Sequence, residues 1–491
     1  MRIGLQDGRR EGFAHPVQPQ AQMLRKLRPM FRRLFVFLLV ALGAFQLTAC
    51  GQNSPLAVVR APSPTAQRLS WLQGLLDSSV ILRQHQVGLS LADATTCEDL
   101  FGYHEDKYFT PASNMKLFSF YAGLKLLADS LPSLRYFSRG DTLFFQGTGD
   151  PTFLHGDVPS RRAFDFLQRS PGLLANCDIA CSTPYGPGWP WDDFGYYFQP
   201  ERGAFPIYGQ TVRFYATPAV GRAPGRLRVL PRGFAPLTGL VPATVRTPGL
   251  DPDVHVIRAL DENRFYLVAR LNKRWVDEVP FRTSRVFTLR LLGDTLRRPL
   301  VGAPWRPRPI DVVRTLRGLP VDSLYRRMLR VSDNLLAEQL LLMASTTLGA
   351  HDSLSTQRTI RYVRKKYLGT LPDPVVWTDG SGLSRRNLVT PRTLVALLLR
   401  LHQEVPERRL LSLLAAGGGQ GTLRKRYHDA AGSWVWGKTG SLENNTNLSG
   451  YLRTKSGRLL AFTFLNNNHV ADSGDIRNEM ERVLRQVRER L

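Results

Sequence analysis

The sequence predicts an α+β protein with more than one domain, and three observations lead to this prediction. The chain has 491 residues, 43% of them apolar, which is enough to bury two or three hydrophobic cores. Apolar residues recur at helical spacing near both ends, whereas residues 139–309 are rich in Pro, Gly, Val and Arg. Alternating runs at 265–271 and 286–291 indicate strands in that middle region.

Periodicity also predicts the individual elements. Helices are predicted at 68–81, from Ala112 to about 127, at 321–329, at 335–343 and at 475–491. Strands outside the middle region are predicted at 86–93 and from 434 to 466. Helical patterns resume at Pro309, so residues 139–309 are expected to be an inserted, mostly β region of one or two small domains.

The N-terminus carries the pattern of an export signal. Basic residues at 23–33 precede an apolar run at 34–45, which is short for a membrane span. Leu-Thr-Ala and then Cys50 follow, which resembles a bacterial lipoprotein cleavage site. We therefore expect a signal peptide over 1–49, a lipid on the sulfur of Cys50, and a linker over 50–67.

This pattern predicts an exported protein on the periplasmic or cell-envelope side of a bacterial membrane, held by a lipid anchor. Which membrane holds the anchor is left open by the sequence. An uncleaved anchor or a cytosolic helix is the alternative interpretation. A true start at Met23 or Met30 would leave residues 1–22 as an extension.

The charge balance indicates a basic surface. Lys and Arg number 66 against 40 Asp and Glu, for a formal net charge of +26. Such a surface suits polyanions, among them cell wall and membrane surfaces. The chain has no zinc-finger, RNP-type or helix-turn-helix signature, so nucleic acid is not an expected partner.

Three further cysteines bear on redox chemistry and metal binding. In an exported chain Cys177 and Cys181 are close enough in sequence to pair, which would leave Cys97 free, and the sequence leaves this pairing open. No His/Cys cluster has the spacing of metal ligands. We therefore expect no metal site and no cofactor.

A Ser-x-x-Lys string occurs once, at Ser113 to Lys116. A serine hydroxyl is a weak nucleophile and needs an adjacent base. Three positions apart on a helix, the two side chains share one face, and burial would lower the pKa of the lysine so that it takes the serine proton. The alternative is an ordinary helix start with a surface lysine.

The string Ser332-Asp333-Asn334 lies between two predicted helices. In a loop there, Ser332 can relay a proton to a leaving group and Asn334 can hold a substrate amide. All three residue types also favour the N-cap of the following helix. The two interpretations are compatible, because a cap does not occupy every side chain.

The string Lys438-Thr439-Gly440 follows Trp-Val-Trp-Gly and is predicted to lie on a strand. Lys438 and Thr439 would hold a substrate carboxylate, and glycine at 440 would let substrate backbone lie close. The three strings resemble those of penicillin-binding serine enzymes, and that resemblance implies an oxyanion hole formed by the N–H groups of Ser441 and Ser113. A second such string, 455–457, lies between two strand-like runs and is predicted to be a hairpin turn.

Together, the three strings resemble the active site of penicillin-binding serine enzymes. The long interval between Ser113 and Ser332 resembles the D-alanyl-D-alanine carboxypeptidase/endopeptidase family, or class C low-molecular-mass penicillin-binding proteins, over about residues 68–491. Further strings support this resemblance: Phe109 to Asn114, Gly147 to Pro151, Trp189 to Asp193, Asp379 to Arg385, Gly421 to Leu423, and Asn444 to Tyr451.

The resemblance implies a penicillin-recognising domain, an antiparallel sheet flanked by helices beside a helical cluster, formed by 68–138 and 310–491. It implies a serine D-alanyl-D-alanine carboxypeptidase, with or without endopeptidase activity, that cleaves peptidoglycan stem peptides and is acylated by β-lactams. Ser113 would attack, Lys116 would accept its proton, and Ser332 with Lys438 would protonate the leaving amine.

The same resemblance assigns two residues to substrate specificity. An aspartate in the Trp-x-x-Asp segment and an arginine after Ser-Gly-Leu-Ser would bind the free end of a diamino-acid side chain, and their matches are Asp193 and Arg385. The alternative is that both side chains are solvated or form structural ion pairs. Rival functions are a β-lactamase or esterase of the same fold, a cell-wall binding protein without turnover, and a basic polyanion-binding protein.

Overall fold

An antiparallel sheet supports the segments that carry the predicted motifs. The computed structural model describes five stretches of the chain: 69–158, 160–219, 225–241, 254–349 and 353–491. The expected signal peptide, the lipidated Cys50 and the linker lie outside the described residues.

The helices are α1 Ser70–Asp77, α2 Lys116–Leu126, α3 Arg162–Arg169, α4 Arg285–Leu296, α5 Val321–Arg330, α6 Asn334–Ser345, α7 Thr356–Tyr367, α8 Pro391–Glu404, α9 Glu407–Leu413 and α10 Ser473–Arg490. The strands are β1 Gln86–Asp93, β2 Asp99–Tyr103, β3 Ser130–Arg139, β4 Thr142–Gly147, β5 Leu173–Cys177, β6 Ala180–Cys181, β7 Thr211–Thr217, β8 Arg226–Leu230, β9 Thr238–Leu240, β10 Val256–Arg258, β11 Phe265–Leu267, β12 Trp275–Pro280, β13 Leu300–Ala303, β14 Arg314–Pro320, β15 Ser353–Leu354, β16 Ala415–Ala416, β17 His428–Asp429, β18 Gly432–Ser433, β19 Val435–Leu442, β20 Asn445–Arg453 and β21 Leu459–Asn467.

The largest sheet has the strand order β16-β19-β20-β21-β1-β2, with antiparallel pairing throughout. β1 pairs with β21 along its whole length, from Gln86 opposite Asn467 to Asp93 opposite Leu460. The predicted strand at 86–93 is confirmed as β1, and the predicted strands between 434 and 466 are confirmed as β19, β20 and β21. One sheet thus joins the beginning and the end of the described chain.

The terminal helices cover one face of this sheet. α1 and α10 contribute Leu72, Ile476 and Val483 to an apolar core that also contains Phe462 of β21. The predicted C-terminal helix is confirmed as α10. The first helix is shorter than expected, because the hydroxyl of Ser79 accepts a hydrogen bond from the N–H of Leu82 and a separate short turn begins there.

A cluster of helices covers the other face. α2, α5, α6 and α8 share one apolar core, and every described residue of α6 from Leu335 to Ser345 is buried. A mostly apolar helix that is buried on all sides belongs inside a core, and its buried polar residues Glu338 and Gln339 have hydrogen-bonding partners there. The predicted helices at 321–329 and 335–343 are confirmed as α5 and α6, and the helix predicted to follow Ala112 is confirmed as α2.

The middle region has sheets and a core of its own. One sheet has the order β13-β5-β4-β3-β14, and two smaller sheets have the orders β12-β7-β8 and β10-β11-β9. A separate apolar cluster, which includes Phe145, Phe214 and Leu292, fills this part. The domain boundaries at 139 and 309 stay a prediction; the first of these sheets begins at Ser130 and ends at Pro320.

Two local predictions in this region are wrong. The run at 286–291, predicted as a strand, lies in helix α4, because Ser284 caps the helix by accepting from the N–H of Phe287, and Leu292 and Leu296 pack one turn apart. Helices do not resume at Pro309. Strand β14 comes first and pairs with β3, and α5 begins only at Val321.

Three further features lie away from the predicted site residues. Cys97, Cys177 and Cys181 all carry free thiols, so the structure does not form the disulfide that the sequence left open. The predicted hairpin turn at 455–457 is confirmed, since Arg453 of β20 pairs with Leu459 of β21. Among the described residues, no helix has the length and apolar character needed to cross a membrane.

Candidate active site

Ser113 lies in a short helical turn, Ala112–Met115, that leads directly into α2. Lys116 is the first residue of α2, so the two side chains emerge on the same side of one turn. The Lys116 amine lies 2.8 Å from the Ser113 hydroxyl oxygen. The structure therefore brings together the pair that the Ser-x-x-Lys string predicts.

The Lys116 amine is fully buried and has two other neighbours. Nζ lies 2.5 Å from the side-chain oxygen of Asn334 and 2.6 Å from the backbone carbonyl of Ser381. Both oxygens can only accept hydrogen bonds. A neutral amine therefore satisfies both with its two N–H bonds and directs its lone pair at the hydroxyl of Ser113.

The environment of Lys116 makes that neutral form far more accessible than it is in an exposed lysine. Burial is the largest effect, and it lowers the pKa of Lys116 to about 8, although the carboxylates of Asp379, Asp333 and Glu338 raise it in part. An amine with a pKa near the ambient pH is a better general base than an exposed lysine. The local chemistry suits proton abstraction from Ser113.

The Ser332–Asn334 turn connects α5 and α6. Asp333 is the N-cap of α6 and accepts from the N–H of Leu336 at 3.1 Å, so the capping role expected for this string falls to its middle residue. Ser332 and Asn334 are thereby free to face the cleft. The amide of Asn334 donates to the carbonyl of Phe198 at 2.8 Å, which turns its oxygen towards Lys116.

Lys438 is a second fully buried amine in the site. It donates to the hydroxyl oxygen of Ser332 at 2.8 Å and to the carbonyl of Thr439 at 2.5 Å. Burial, and then the nearby charge of Lys116, hold the pKa of Lys438 well below its ordinary value. Because Lys438 donates to the oxygen of Ser332, the hydroxyl proton of Ser332 is free to point into the cleft.

Strand β19 borders the cleft with an open edge. The short strand β16 pairs only with Trp436 and Gly437, and Thr439 and Ser441 beyond them line the cleft. The hydroxyl of Thr439 lies 2.9 Å from that of Thr422, a residue to which the sequence gave no role. An unpaired strand edge offers backbone N–H and C=O groups to an extended peptide.

Glycine at 440 has a structural reason that the sequence did not reveal. A Cβ atom there would lie 2.5 Å from the carbonyl oxygen of Pro111, in the turn that carries Ser113. Gly382, with φ +80°, faces the same turn, and its Cβ would lie 1.9 Å from the carbonyl oxygen of Ala112. Both glycines let backbone pack tightly around the nucleophile.

Sequence reasoning missed the group that presents the Ser381 carbonyl. The N–H of Ser381 donates to Glu338 at 2.8 Å, and Glu338 forms a buried ion pair with Arg202 at 2.7 Å. Asp379 accepts from the N–H groups of Gly382 and Ser384. The string from 379 to 385 contributed to the family resemblance, but nothing in it shows that a backbone carbonyl contacts Lys116.

Ser113, Ser332, Asn334 and Thr439 line one cleft of about 1090 Å³. Asp193 and Arg385 line it as well, so both predicted specificity residues face the same space as Ser113. Burial, and then the charge of Asp192, raise the pKa of Asp193, while Arg385 lowers it in part. Arg385 donates to the carbonyl of Glu443 at 2.9 Å, and its guanidinium lies 3.9 Å from the Glu443 carboxylate.

Within the described stretches, no group of three or more His, Cys, Asp or Glu side chains is arranged to hold a metal ion. The cleft brings together a hydroxyl beside a buried amine, a second hydroxyl–amine pair, and an open strand edge. This set can perform nucleophilic acyl transfer.

Comparison with known proteins gives an independent result. The model of the D-Ala-D-Ala carboxypeptidase 3 (S13) family matches residues 73–226 and 288–487. Carboxypeptidase DacB of Mycolicibacterium smegmatis is 32% identical over 163 residues, which cover 32% of this chain and 35% of that protein. Carboxypeptidase Rv3627c of Mycobacterium tuberculosis is also 32% identical, over 37% of its length. The chain thus matches about a third of the length of these two relatives.

Longer matches cover most of the chain. D-alanyl-D-alanine carboxypeptidase DacB of Haemophilus influenzae is 24% identical over 419 residues, 77% of this chain and 84% of that protein. The crystal structure of penicillin binding protein 4 from the same organism superposes with a TM-score of 0.64 at 19% identity, covering 85% of this chain and 98% of that one. The predicted penicillin-recognising fold is confirmed by this superposition.

The lowered pKa of Lys116 predicts a pH dependence. Lys116 can accept the Ser113 proton only when neutral, and its neutral fraction rises as pH increases through about 8. The rate of Ser113 acylation by a fluorescent β-lactam should therefore rise through that pH and level off above it. Stopped-flow fluorescence, corrected for hydrolysis of the β-lactam without protein, measures this profile.

The variant Lys116→Ala serves as the control for this profile. It should acylate ~10²–10⁴-fold more slowly, the usual contribution of a general base, and should lose the rise near pH 8. A wild-type rate that stays flat or falls across that range would show that Lys116 is not the base.

Proposed function

Because the chain belongs to the D-Ala-D-Ala carboxypeptidase 3 (S13) family, we propose that it is a serine D-alanyl-D-alanine carboxypeptidase that cleaves peptidoglycan stem peptides. The observation that carries this proposal is the buried Lys116 amine, held between the Ser113 hydroxyl and two carbonyl oxygens. Such an arrangement supports a neutral lysine as general base.

In the proposed acylation, Ser113 Oγ attacks the carbonyl carbon before the terminal D-alanine, and Lys116 accepts the hydroxyl proton. The N–H groups of Ser113 and Ser441 bind the oxyanion. The C–N bond then breaks, and the proton taken by Lys116 returns to the leaving nitrogen through the hydroxyl of Ser332, whose oxygen Lys438 holds. The products of this step are D-alanine and the acyl-enzyme.

In the proposed deacylation, water attacks the ester carbon of the acyl-enzyme. The same amine–hydroxyl pairs accept the proton of water and return one proton to Ser113 Oγ, so the enzyme ends as it began. Asn334 and Thr439 would position the substrate backbone, the open edge of β19 would bind it as an added strand, and Lys438 with Thr439 would hold its terminal carboxylate through hydrogen bonds.

The division into domains belongs to the same proposal. Residues 68–138 and 310–491 would form the penicillin-recognising catalytic domain, and residues 139–309 would be an insertion in it. The separate apolar cluster of the middle region supports this division.

We also propose that Asp193 and Arg385 bind the free end of a diamino-acid side chain. The Asp193 carboxylate would take the ammonium and the Arg385 guanidinium the carboxylate. Arg385 is half exposed and its ion pair with Glu443 is long, so this pair stabilises the fold little and can yield to a substrate.

We further propose that the protein is exported and anchored through lipid on Cys50. The pattern of basic, apolar and small residues before Cys50 supports this proposal. Several acyl chains on one residue would hold the enzyme at a membrane next to the cell wall.

The acylation step predicts the behaviour of Ser113→Ala. This variant should fold normally, since only one hydroxyl is lost, but should form no covalent penicillin adduct and release no D-alanine from a stem pentapeptide. Intact-protein mass spectrometry and a D-alanine assay on the soluble form from about residue 52 measure both. A persistent adduct on well-folded Ser113→Ala would contradict the assignment. Rapid loss of the wild-type adduct together with an inert pentapeptide would favour a β-lactamase.

The specificity subsite predicts a selective effect of Arg385→Ala. The variant should lose about 1.5–3 kcal/mol in kcat/KM for a diaminopimelate-containing peptide, the range for a charge-assisted hydrogen bond. Acylation by a simple penicillin, which lacks that side chain, should barely change. Arg408→Ala, an exposed arginine of α9, is the control. Equal loss on both substrates would indicate a structural role for Arg385.

The anchor predicts a loss of lipid in Cys50→Ser. Metabolic labelling with a fatty-acid analogue should mark the wild-type protein and the control Cys97→Ser, but not Cys50→Ser. Labelling of Cys50→Ser at the wild-type level would rule out this lipid site.

A further inference from the structure

A chain of charged side chains runs along the wall of the catalytic cleft. Its centre is Arg327, in the last turn of α5. Arg327 Nε lies 3.0 Å from the Asp333 carboxylate, and Nη2 lies 2.8 Å from the Asp157 carboxylate. One guanidinium thus connects the turn that carries Ser332 with a loop of the middle region.

The series of charged side chains continues into the sheets of the middle region. Asp157 also accepts from Arg213 on β7, and Arg213 in turn pairs with Glu278 on β12 at 2.8 Å. The N–H of Asp157 donates to the ring of His155 at 3.1 Å, which fixes the loop. Although burial raises the pKa of Asp157, hydrogen bonding to Arg213 and the charge of Arg327 lower it overall, so this carboxylate stays ionised.

The turn beside Arg327 has an unfavourable backbone conformation. Ser332 has φ +64°, a left-handed conformation that a non-glycine residue adopts only when its surroundings impose it. The Arg327–Asp333 contact closes this turn from α5 to the N-cap of α6. Asn334 has separate anchors in Phe198 and Lys116, whereas Lys438 is the one hydrogen-bond partner of the Ser332 side chain among the described residues.

We propose that Asp157, Arg327 and Asp333 are positioning residues through which the middle region holds the hydroxyl of Ser332 at the leaving nitrogen. None of the three needs to touch substrate; they act by fixing the Ser332 turn. The proposal rests on the carboxypeptidase function above, in which Ser332 relays the proton to the leaving amine. It gives the middle region, whose residues Thr211, Val276 and Glu278 line the cleft, a part in catalysis.

A purely structural role would affect all substrates equally. A misplaced proton relay affects only leaving groups that need a proton. The nitrogen of an amide must be protonated to depart, whereas a thioester releases a thiolate, which departs without a proton. Comparing a peptide substrate with its thioester analogue therefore isolates the contribution of Ser332.

The test uses Asp157→Asn and Arg327→Lys, which keep side-chain size nearly constant. Each should lower kcat/KM for the peptide by ~10- to 100-fold, the scale of loss for a misplaced catalytic group, and should lower kcat/KM for the thioester much less. Penicillin-binding stoichiometry and melting temperature confirm that each variant is folded. Arg409→Gln is the matched control. Arg409 forms an ion pair with two hydrogen bonds to Asp322, which lies on α5 like Arg327 but away from the cleft.

The possible results separate the proposals. If kcat/KM falls equally for the amide and the thioester, the positioning role is overturned and the carboxypeptidase function stands. The same holds if kcat/KM falls for neither substrate in both variants. A selective loss in Arg409→Gln as well would overturn it too, since any ion pair of α5 would then suffice. A wild-type enzyme that is acylated by neither substrate would overturn the carboxypeptidase function, and the positioning role with it.

Discussion

Lys116 places a primary amine inside the protein, between the hydroxyl of Ser113 and the carbonyl oxygens of Asn334 and Ser381. Burying a charged amine is costly, and the group responds by giving up its proton more easily. The rest of the site serves to keep this amine buried and fully hydrogen-bonded. α2 is surrounded by apolar side chains, so water does not reach Lys116 from the core side.

Segments far apart in the sequence must converge for this to happen. The Ser113 turn, the Ser332 turn, the loop at Ser381 and strand β19 all meet at the cleft. Gly382 and Gly440 permit the closest approaches, since a Cβ at either position would collide with backbone of the Ser113 turn. Glu338 and Arg202, both buried, hold the Ser381 loop from behind, so an ion pair that never faces substrate sets the distance from the Ser381 carbonyl to Lys116.

Much of this arrangement could be predicted from the sequence, because it depends on local spacing. Ser113 and Lys116 share a helical turn, β1 has a clear apolar pattern, and α5 and α6 have clear helical patterns. Contacts made by backbone atoms could not be predicted in this way. The Ser381 carbonyl that contacts Lys116 has no side-chain signature.

The sequence also does not show which charged residues pair over long distances, or whether a short apolar run forms a strand or a helix. Arg327 is one of many arginines, and only the fold shows that it connects Asp157 with Asp333. The prediction of a strand at 286–291 was wrong because an alternating apolar run over six residues also fits a helix. The N-cap at Ser284 favours the helix over the strand. The resemblance supplied the topology that periodicity alone could not.

The most direct test of this account is the titration of the Lys116 amine itself. NMR of protein labelled with ¹³C in its lysine side chains, with the Lys116 signal assigned by its loss in Lys116→Ala, reports the pKa without any reaction. The account predicts a midpoint near 8. A midpoint at about 10.4, the value of an exposed lysine, would show that burial does not make the neutral amine more accessible, and would contradict its role as the base.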